Sequence, residues 1–405
     1  MRVLKAQVYN SENEAFADIE LPASYEELED TLQMINGINE NCAADIKYFL
    51  GDMDLLENKE MLSCSLYEMN YFASLVDKMQ DYEKVKFAGL VEAEASEYPN
   101  MKEIINLALN APSLDCYHAP ATSDKDLGEF YIDNELLPQL ADLDNLTDEQ
   151  YDWVCEHLDK EKIGKEMREQ EQGVFTSAGY FVKNEEIKQL YNGEPVMPKP
   201  CNYIFRLELA LIPEGDEPND ESTLSLKLPA ATADVQRALE EIGAKSMEDC
   251  CFYGYESLVV PQLADCYTDN DDFNVLNHLA EKINRFTGEE IAKYKAMLEA
   301  THCKDIETAL SVYEKMDEFT LDRSCTTATD YVDKVLENLD LPMKEQFSFY
   351  LSKDGYGKAL MQYNGVDTTS YGMLIPNGGI RLSEFLQKEL SEQLQNQNTE
   401  MTMLM

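Results

Sequence analysis

Internal repetition constrains this chain more than any other feature of its sequence. Leu21-Pro22-Ala23 recurs as Leu228-Pro229-Ala230, Asn70 with Ala73 recurs as Asn277 with Ala280, and Lys86 with Glu92-Ala93 recurs as Lys293 with Glu299-Ala300, all at an offset of 207 residues. Farther along the offset shrinks. Leu137-Pro138 pairs with Leu341-Pro342, and then Leu158, Gly164-Lys165, Thr176-Ser177 and Gly179 pair with Leu351, Gly357-Lys358, Thr369-Ser370 and Gly372 at an offset of 193. Order is kept throughout, and chance matches do not hold one register over several segments. The chain therefore reads as two copies of a unit of roughly 180 residues.

Each copy predicts the same series of elements. Alternating segments at Val3 to Tyr9 and Ala15 to Leu21, and again at Tyr203 to Leu211 and Thr223 to Leu228, read as hairpins. An amphipathic helix follows each hairpin. In the first copy Ser24 and Glu27 form a capping box ahead of Leu28, Leu32 and Ile35; in the second, Val235, Leu239 and Ile242 take the apolar face. Helical stretches run from about Leu66 to Leu109 and from Phe273 to Tyr313. There Phe72 and Val76 answer Leu279 and Ile283, and Thr287 with Glu290 caps a helix. The last part of each copy mixes helix with a strand after Gly179 or Gly372.

The expected fold class is α+β, a tandem repeat of two elongated units, each with a small hairpin-and-helix sheet, a helical middle and a closing α/β part. The expected boundaries are 1–60, 61–131 and 132–190 for the first copy, then 202–268, 269–338 and 339–380 for the second. A Pro-rich linker over 191–201 joins them, with a C-terminal helix and tail over 381–405. At about 3.1 Å per residue the linker spans no more than about 30 Å, which favours head-to-tail neighbours.

Charge narrows the function. The chain of 405 residues holds 79 acidic against 33 basic side chains, a net charge of −46, yet it is 44% hydrophobic and 10% aromatic. So many apolar groups rule out a solvated polyanion and require a folded core. Direct binding to nucleic acid is excluded, because a binder needs a basic footprint. The imbalance is not confined to a tail: residues 1 to 205 hold 42 acidic and 16 basic side chains, and the remainder holds 37 and 17. The N-terminus lacks the apolar core of a signal peptide, no stretch approaches a membrane span, and ten scattered cysteines suit a reducing compartment, so a cytoplasmic protein is expected.

Sites for chemistry are weak. Asp142, Asp144, Asp148, Glu149 and Asp152 form the densest acidic cluster, but a calcium loop starting at Asp142 needs Gly and Glu where Thr147 and Trp153 stand, and Thr147 reads better as a helix N-cap. Asp269, Asp271 and Asp272 have no following Gly-x5-Glu. Cys116-x-His118 and Cys155-x-His157 supply ligands zinc accepts, or a thiol–imidazole pair, but at unusual spacing and without a counterpart in the second copy. Gly355-Tyr356-Gly357 lacks the Gly-Lys-Ser/Thr continuation of a phosphate loop and reads as a turn. No enzyme, metal or cofactor is expected.

Several motifs resemble the ArdA antirestriction family of mobile genetic elements. Leu66-Tyr67-Glu68-Met69-Asn70-Tyr71-Phe72-Ala73 is similar to that family's Glu-Leu-Asn-x-Leu-Ala helix, and Asp126-Leu127-Gly128-Glu129-Phe130-Tyr131 to its Asp-Leu-Gly-x-Tyr run. Gly164-Lys165-Glu166-Met167 and Gly179-Tyr180 resemble its closing elements. The second copy keeps Asn277, Leu279, Ala280 and Tyr356-Gly357-Lys358, but Asp330-Tyr331-Val332 lacks the Leu-Gly signature. The resemblance implies an elongated, non-catalytic, acidic protein that imitates DNA phosphates. It would occupy the DNA-binding groove of a type I restriction-modification enzyme, or of another DNA-binding protein, without touching nucleic acid or membrane. The alternative is a non-catalytic interaction or adaptor protein of a mobile element that kept the fold. Lys78, Lys84 and Lys86 depart from the family's acidic stretch, and two copies in one chain depart from its usual single dimerising unit, so a monomer acting as a pseudo-dimer, or a homodimer, is expected.

The carboxylates expected to meet a partner are Glu26, Glu27, Glu29 and Asp30 on the exposed face of the first helix, then Asp77, Asp81, Glu83, Asp124, Asp126, Glu129, Asp142, Asp144, Asp148, Glu149, Glu281, Glu289 and Glu290. For the first group, charge favouring the helix dipole is an equal reading. At one charge per about 1.7 Å, 46 net charges match roughly 78 Å of duplex, or about 23 base pairs. A compact globule of this length has a gyration radius of about 21 Å. Small-angle scattering of the monomer is expected to give a larger value, and a radius at the compact one would count against an extended mimic.

Overall fold

The computed structural model describes residues 1–37, 41–51, 53–56, 59–137, 147–212, 223–267, 272–338 and 350–384. Pro138, Leu341, Pro342, Asp269 and Asp271, invoked above, lie outside these residues, as does the expected helix and tail beyond 384. The chain forms two compact units. Unit 1 comprises Met1–Ser11, Phe16–Ala23 and Asn39–Pro198, and unit 2 comprises Glu12–Ala15, Ser24–Ile38 and Lys199–Met405. The boundary in the later chain thus falls inside the Pro-rich stretch. The first amphipathic helix, however, belongs to unit 2. The fold is α+β, with four small antiparallel sheets of three strands among the described residues.

Unit 1 opens with β1 (Leu4–Asn10), β2 (Phe16–Leu21) and β3 (Cys42–Phe49), in the order β2-β1-β3. Period-two alternation on central β1 buries Leu4, Ala6 and Val8 completely. A helical layer follows: α2 (Leu66–Lys78), α3 (Asp81–Glu94) and α4 (Met101–Asn110). Side-chain caps from Ser65 and Asn100 start α2 and α4. Phe72 and Phe87 meet between α2 and α3 with ring centroids 5.8 Å apart, and both are fully buried.

The closing part holds β4 (Cys116–Ala119), β5 (Val174–Thr176) and β6 (Gly179–Lys183), in the order β4-β6-β5, with α5 (Asp124–Asp133), α6 (Asp148–Glu156) and α7 (Lys160–Glu171). Helices α5 and α7 touch backbone to backbone. A Cβ on Gly128 would sit 1.8 Å from the Lys160 carbonyl oxygen, and one on Gly164 would sit 1.7 Å from that of Asp124. Any larger residue at either position forces the helices apart. Tyr131, Tyr180, Leu127 and Ile132 fill the core beneath them.

Unit 2 contains α1 (Tyr25–Met34), with Leu28, Leu32 and the following Ile35 buried. The Ser24–Glu27 capping box expected from the sequence starts it. The unit continues with β7 (Phe205–Leu211), β8 (Leu224–Leu228), α8 (Thr232–Ile242) and β9 (Cys250–Glu256), the strands in the order β8-β7-β9. Next come α9 (Phe273–Ile283), α10 (Gly288–Thr301) and α11 (Ile306–Glu314). Thr287 and Glu290 cap α10 as expected, and Leu279 and Ile283 are buried. Finally β10 (Phe319–Asp322), α12 (Ala328–Asn338), α13 (Lys353–Asn364), β11 (Asp367–Thr369) and β12 (Gly372–Pro376) close the unit, with sheet order β10-β12-β11. One core, from Phe205 and Leu228 through Leu276 and Tyr294 to Leu374, runs through most of it.

In each unit an asparagine ties a helix to the end of a hairpin. Asn70 on α2, 3% exposed, accepts the Ala23 N–H at 2.6 Å and donates to the Ala23 carbonyl at 3.1 Å. Asn277 on α9 accepts the Ala230 N–H at 2.8 Å and donates to the Ala230 carbonyl at 3.0 Å. An amide side chain carries its acceptor and its donor on separate atoms, so it can serve the N–H and the carbonyl of one residue at once. Removing it strands two buried polar groups. Asn70→Ala is expected to lower unfolding stability by roughly 2 to 4 kcal/mol, read from urea denaturation; a midpoint equal to wild type would show that the clasp contributes nothing.

Candidate acidic interaction surface

The first helix does not present all its carboxylates to solvent. Asp30 and Glu26 are 7% and 8% exposed, which corrects the expectation that they lie on an open face. Within unit 2, Asp30 Oδ1 accepts from Lys295 Nζ at 2.6 Å and from the Tyr371 hydroxyl at 2.8 Å. Lys295 also donates to Gln33 Oε1 at 3.0 Å, Gln262 donates to the Tyr371 hydroxyl at 2.6 Å, and Arg323 donates to the Gln33 carbonyl. Burial pulls the Lys295 ammonium below its ordinary value, opposed by Asp30, and pushes the Tyr371 phenol up. Glu26 accepts the Cys201 N–H at 2.5 Å. These two carboxylates hold α1 in unit 2 and are not available to imitate phosphates. The tertiary partners that bury them lie more than 170 residues away in sequence, so no local pattern reveals them.

Three other candidates work at helix starts. Glu27, Glu83 and Glu290 each accept the backbone N–H of the N-cap residue, Ser24, Gln80 and Thr287, at 2.8 Å. The Thr287 backbone N–H holds Glu290 below the usual carboxylate range. Glu290 nevertheless stays exposed, so capping does not remove its charge from the surface. In the closing part of unit 1, Asp124 binds Arg168 through two bonds of 2.7 and 3.0 Å, and Glu129 pairs with Lys160 at 2.6 Å. Asp126 is exposed and is held low by the Ser123 and Thr122 hydroxyls.

Asp81, Glu149, Glu281 and Glu289 are exposed, whereas Asp77 and Glu29 are half-buried. Asp142 and Asp144 lie outside the described residues, as does the Asp148 side chain. Thr147 caps α6 through Gln150, the role expected of it. The lysines of the α2–α3 stretch are less disruptive than their number suggests. Lys84 lies 3.6 Å from Asp81, and Lys86 turns inward to donate to the Leu114 carbonyl at 3.0 Å.

Other exposed carboxylates escaped the sequence reading. Glu156 on α6, Asp159 before α7, and Glu161, Glu166 and Glu169 on α7 all face solvent in unit 1, as does Asp152 of the acidic cluster named above. In unit 2 Glu240, Glu241, Glu248, Glu307 and Glu314 do so. Only two pairs carry a local signal, Asp152 with Glu156 at i, i+4 and Glu240 beside Glu241.

The groups considered for chemistry are dispersed in ordinary structural roles. His118 Nε2 lies 3.0 Å from the Ala178 carbonyl, and His157 Nδ1 lies 2.8 Å from the Trp153 carbonyl while its ring stacks on Trp153. Among the described residues no group of three or more His, Cys, Asp or Glu side chains is placed to hold a metal ion. Gly355-Tyr356-Gly357 is the first turn of α13 and not an isolated turn. A Cβ on Gly357 would sit 2.3 Å from the Ala328 carbonyl oxygen, so helix packing explains that glycine. No helix among the described residues is long and apolar enough to cross a membrane. No protein-family model matches the chain, and no curated protein matches its sequence.

The Asp124–Arg168 pair has a testable pH signature. The Arg168 guanidinium holds Asp124 below its ordinary value of 3.8, so the folded state binds this proton less readily than the unfolded state. The pair's contribution is full above that ordinary value and is lost as pH falls below it through the folded value. Arg168→Ala is expected to remove this part of the acid sensitivity while leaving the neutral-to-alkaline profile unchanged, measured as thermal midpoints across pH. The pair is partly solvated, so the effect at neutral pH is expected to be under about 1 kcal/mol.

Proposed function

We propose that the chain consists of two copies of one unit and acts as a non-catalytic, acidic imitation of duplex DNA that fills the basic groove of a type I restriction-modification enzyme in the cytoplasm. The duplication is supported by details that the sequence matches do not by themselves require. Both units clasp a hairpin with an asparagine, as described for Asn70 and Asn277. Each places the hairpin's first strand at the centre of its sheet, with a register shift against the third strand. Gly179 and Gly372 both have φ of +132°, each accepting from a threonine three residues earlier.

One observation carries the mimic reading: among the described residues, exposed carboxylates far outnumber exposed lysines and arginines. Several of the scarce cations are already neutralised within the fold: Lys295 by Asp30, Arg168 by Asp124, Lys183 by Glu94 and Lys334 by Asp322. Exposed carboxylates occur on helices of both units, and the two halves of the sequence are both strongly acidic. A basic groove meeting such a surface gains the counterion release it otherwise gains from DNA. The adaptor alternative draws on Lys78, Lys84 and Lys86, which stand where the resembled family is acidic.

The test is DNA cleavage by a purified type I enzyme with this protein in excess. Inhibition is expected, relieved by added duplex and weakening steeply with salt. Cleavage at the uninhibited rate under these conditions would leave the adaptor reading.

A further inference from the structure

The closing part of unit 1 contains an open cavity of about 610 Å³, lined by Tyr117, Tyr131, Leu136, Glu171, Val182, Lys183 and Asn184. Its size falls within the usual range for small-ligand pockets. Glu171, the last residue of α7, supplies its carboxylate. One oxygen accepts from the Tyr180 hydroxyl at 2.7 Å and the other from the Tyr131 hydroxyl. Both tyrosines are buried, at 0% and 6% exposure, so the carboxylate is held in a fixed position. Gly173 makes room for this arrangement, since a Cβ there would meet the Tyr180 ring. A carboxylate has about four lone-pair directions, and two remain for an incoming donor. Lys183, itself part of the lining, is paired with Glu94 at 2.6 Å, and Arg168 is paired with Asp124.

Satisfying two phenols does not require a charge, because an amide accepts one hydroxyl and donates to another. Unit 2 has only one phenol at the corresponding place, since Met373 stands where unit 1 has Tyr180. At the offset of 193 the residue matching Glu171 is Asn364, also the last residue of its helix, which donates to the Tyr331 hydroxyl at 3.0 Å. The two units thus differ in charge at this helix end, a carboxylate in unit 1 and an amide in unit 2.

We propose that this cavity is a binding site for one guanidinium group, with Glu171 as the bidentate acceptor and Tyr117 and Tyr131 as aromatic walls. The planar fork of a guanidinium matches a fixed carboxylate and stacks on phenol rings, which a hydrated ammonium does less well. The inference deepens the mimic reading and rests on it only for the source of the group, an arginine side chain of the basic partner. It adds a specific anchor to an otherwise diffuse charged surface.

Calorimetric titration of the full chain tests it, using agmatine, a short peptide with one central arginine, and the same peptide with citrulline, the neutral isostere. The arginine peptide is expected to bind wild type, and Glu171→Gln is expected to weaken it by roughly tenfold or more. Leu136→Trp, which fills the cavity without touching the carboxylate, is expected to do the same and decides the matter if Glu171→Gln fails to fold. Agmatine binding as tightly as the peptide supports the site with a free cation as its ligand. Equal peptide affinity for wild type and a folded Glu171→Gln, or equal affinity for the citrulline peptide, overturns the site whatever the cleavage assay gives. If cleavage is not inhibited but Glu171-dependent arginine binding persists, the mimic reading falls and the site stands.

Discussion

Electrostatic self-repulsion is the constraint on which the rest of this structure depends. With 79 acidic and 33 basic side chains, any compact state brings like charges together, and cations are scarce enough that each placement matters. The structure concentrates several of them where desolvation makes pairing necessary. Lys295 is the extreme case: an ammonium with a side chain 3% exposed, bonded to Asp30 and Gln33 and lying near the Tyr371 ring. A buried pair of this kind gains little net stability over an apolar one, but breaking it leaves an uncompensated charge inside. Its consequence is specificity in seating α1. Elsewhere Lys5 and Lys47 share Asp18, and Lys334 bonds Asp322 at the end of β10.

Polar groups with fixed geometry complete what charge pairing begins. The Asn70 and Asn277 amides each satisfy an N–H and a carbonyl of one residue beyond a hairpin, and thereby set where a helix crosses the sheet. Gly128, Gly164 and Gly357 let helices of the closing parts approach until a side-chain carbon has no room. The Leu-Gly signature at 127–128 and the Gly at 164 thus have one steric cause. Where unit 2 lacks the Leu-Gly signature it keeps Gly357, and the corresponding contact is with Ala328.

Much of the element order was legible. Hairpins at β1–β2 and β7–β8 followed from alternation, and the helical layers from apolar spacing together with the capping pairs Ser24–Glu27 and Thr287–Glu290. Strands β3 and β9 were not foreseen. Their sequences, CAADIKYF and CCFYGYE, carry no clear alternation, because each is an edge strand whose pairing with β1 or β7 defines it. The candidate carboxylates divided in the same way. Glu27, Glu83 and Glu290 could be read locally, since capping spans three residues, whereas Glu26, Asp30 and Glu171 take their roles from groups that the local sequence does not place beside them.

Sequence alone determined the charge, its spread over both halves, the matched registers and the α+β succession of elements, because each depends on composition or on spacing within a few turns. Tertiary structure decided which carboxylates remain in water. It assigned α1 to the second unit, withdrew Asp30 and Glu26 from the surface, and set Glu171 in a cavity where two tyrosines donate to it. A carboxylate's availability is fixed by the partners that fold against it, and those contacts join residues from 9 to 341 positions apart.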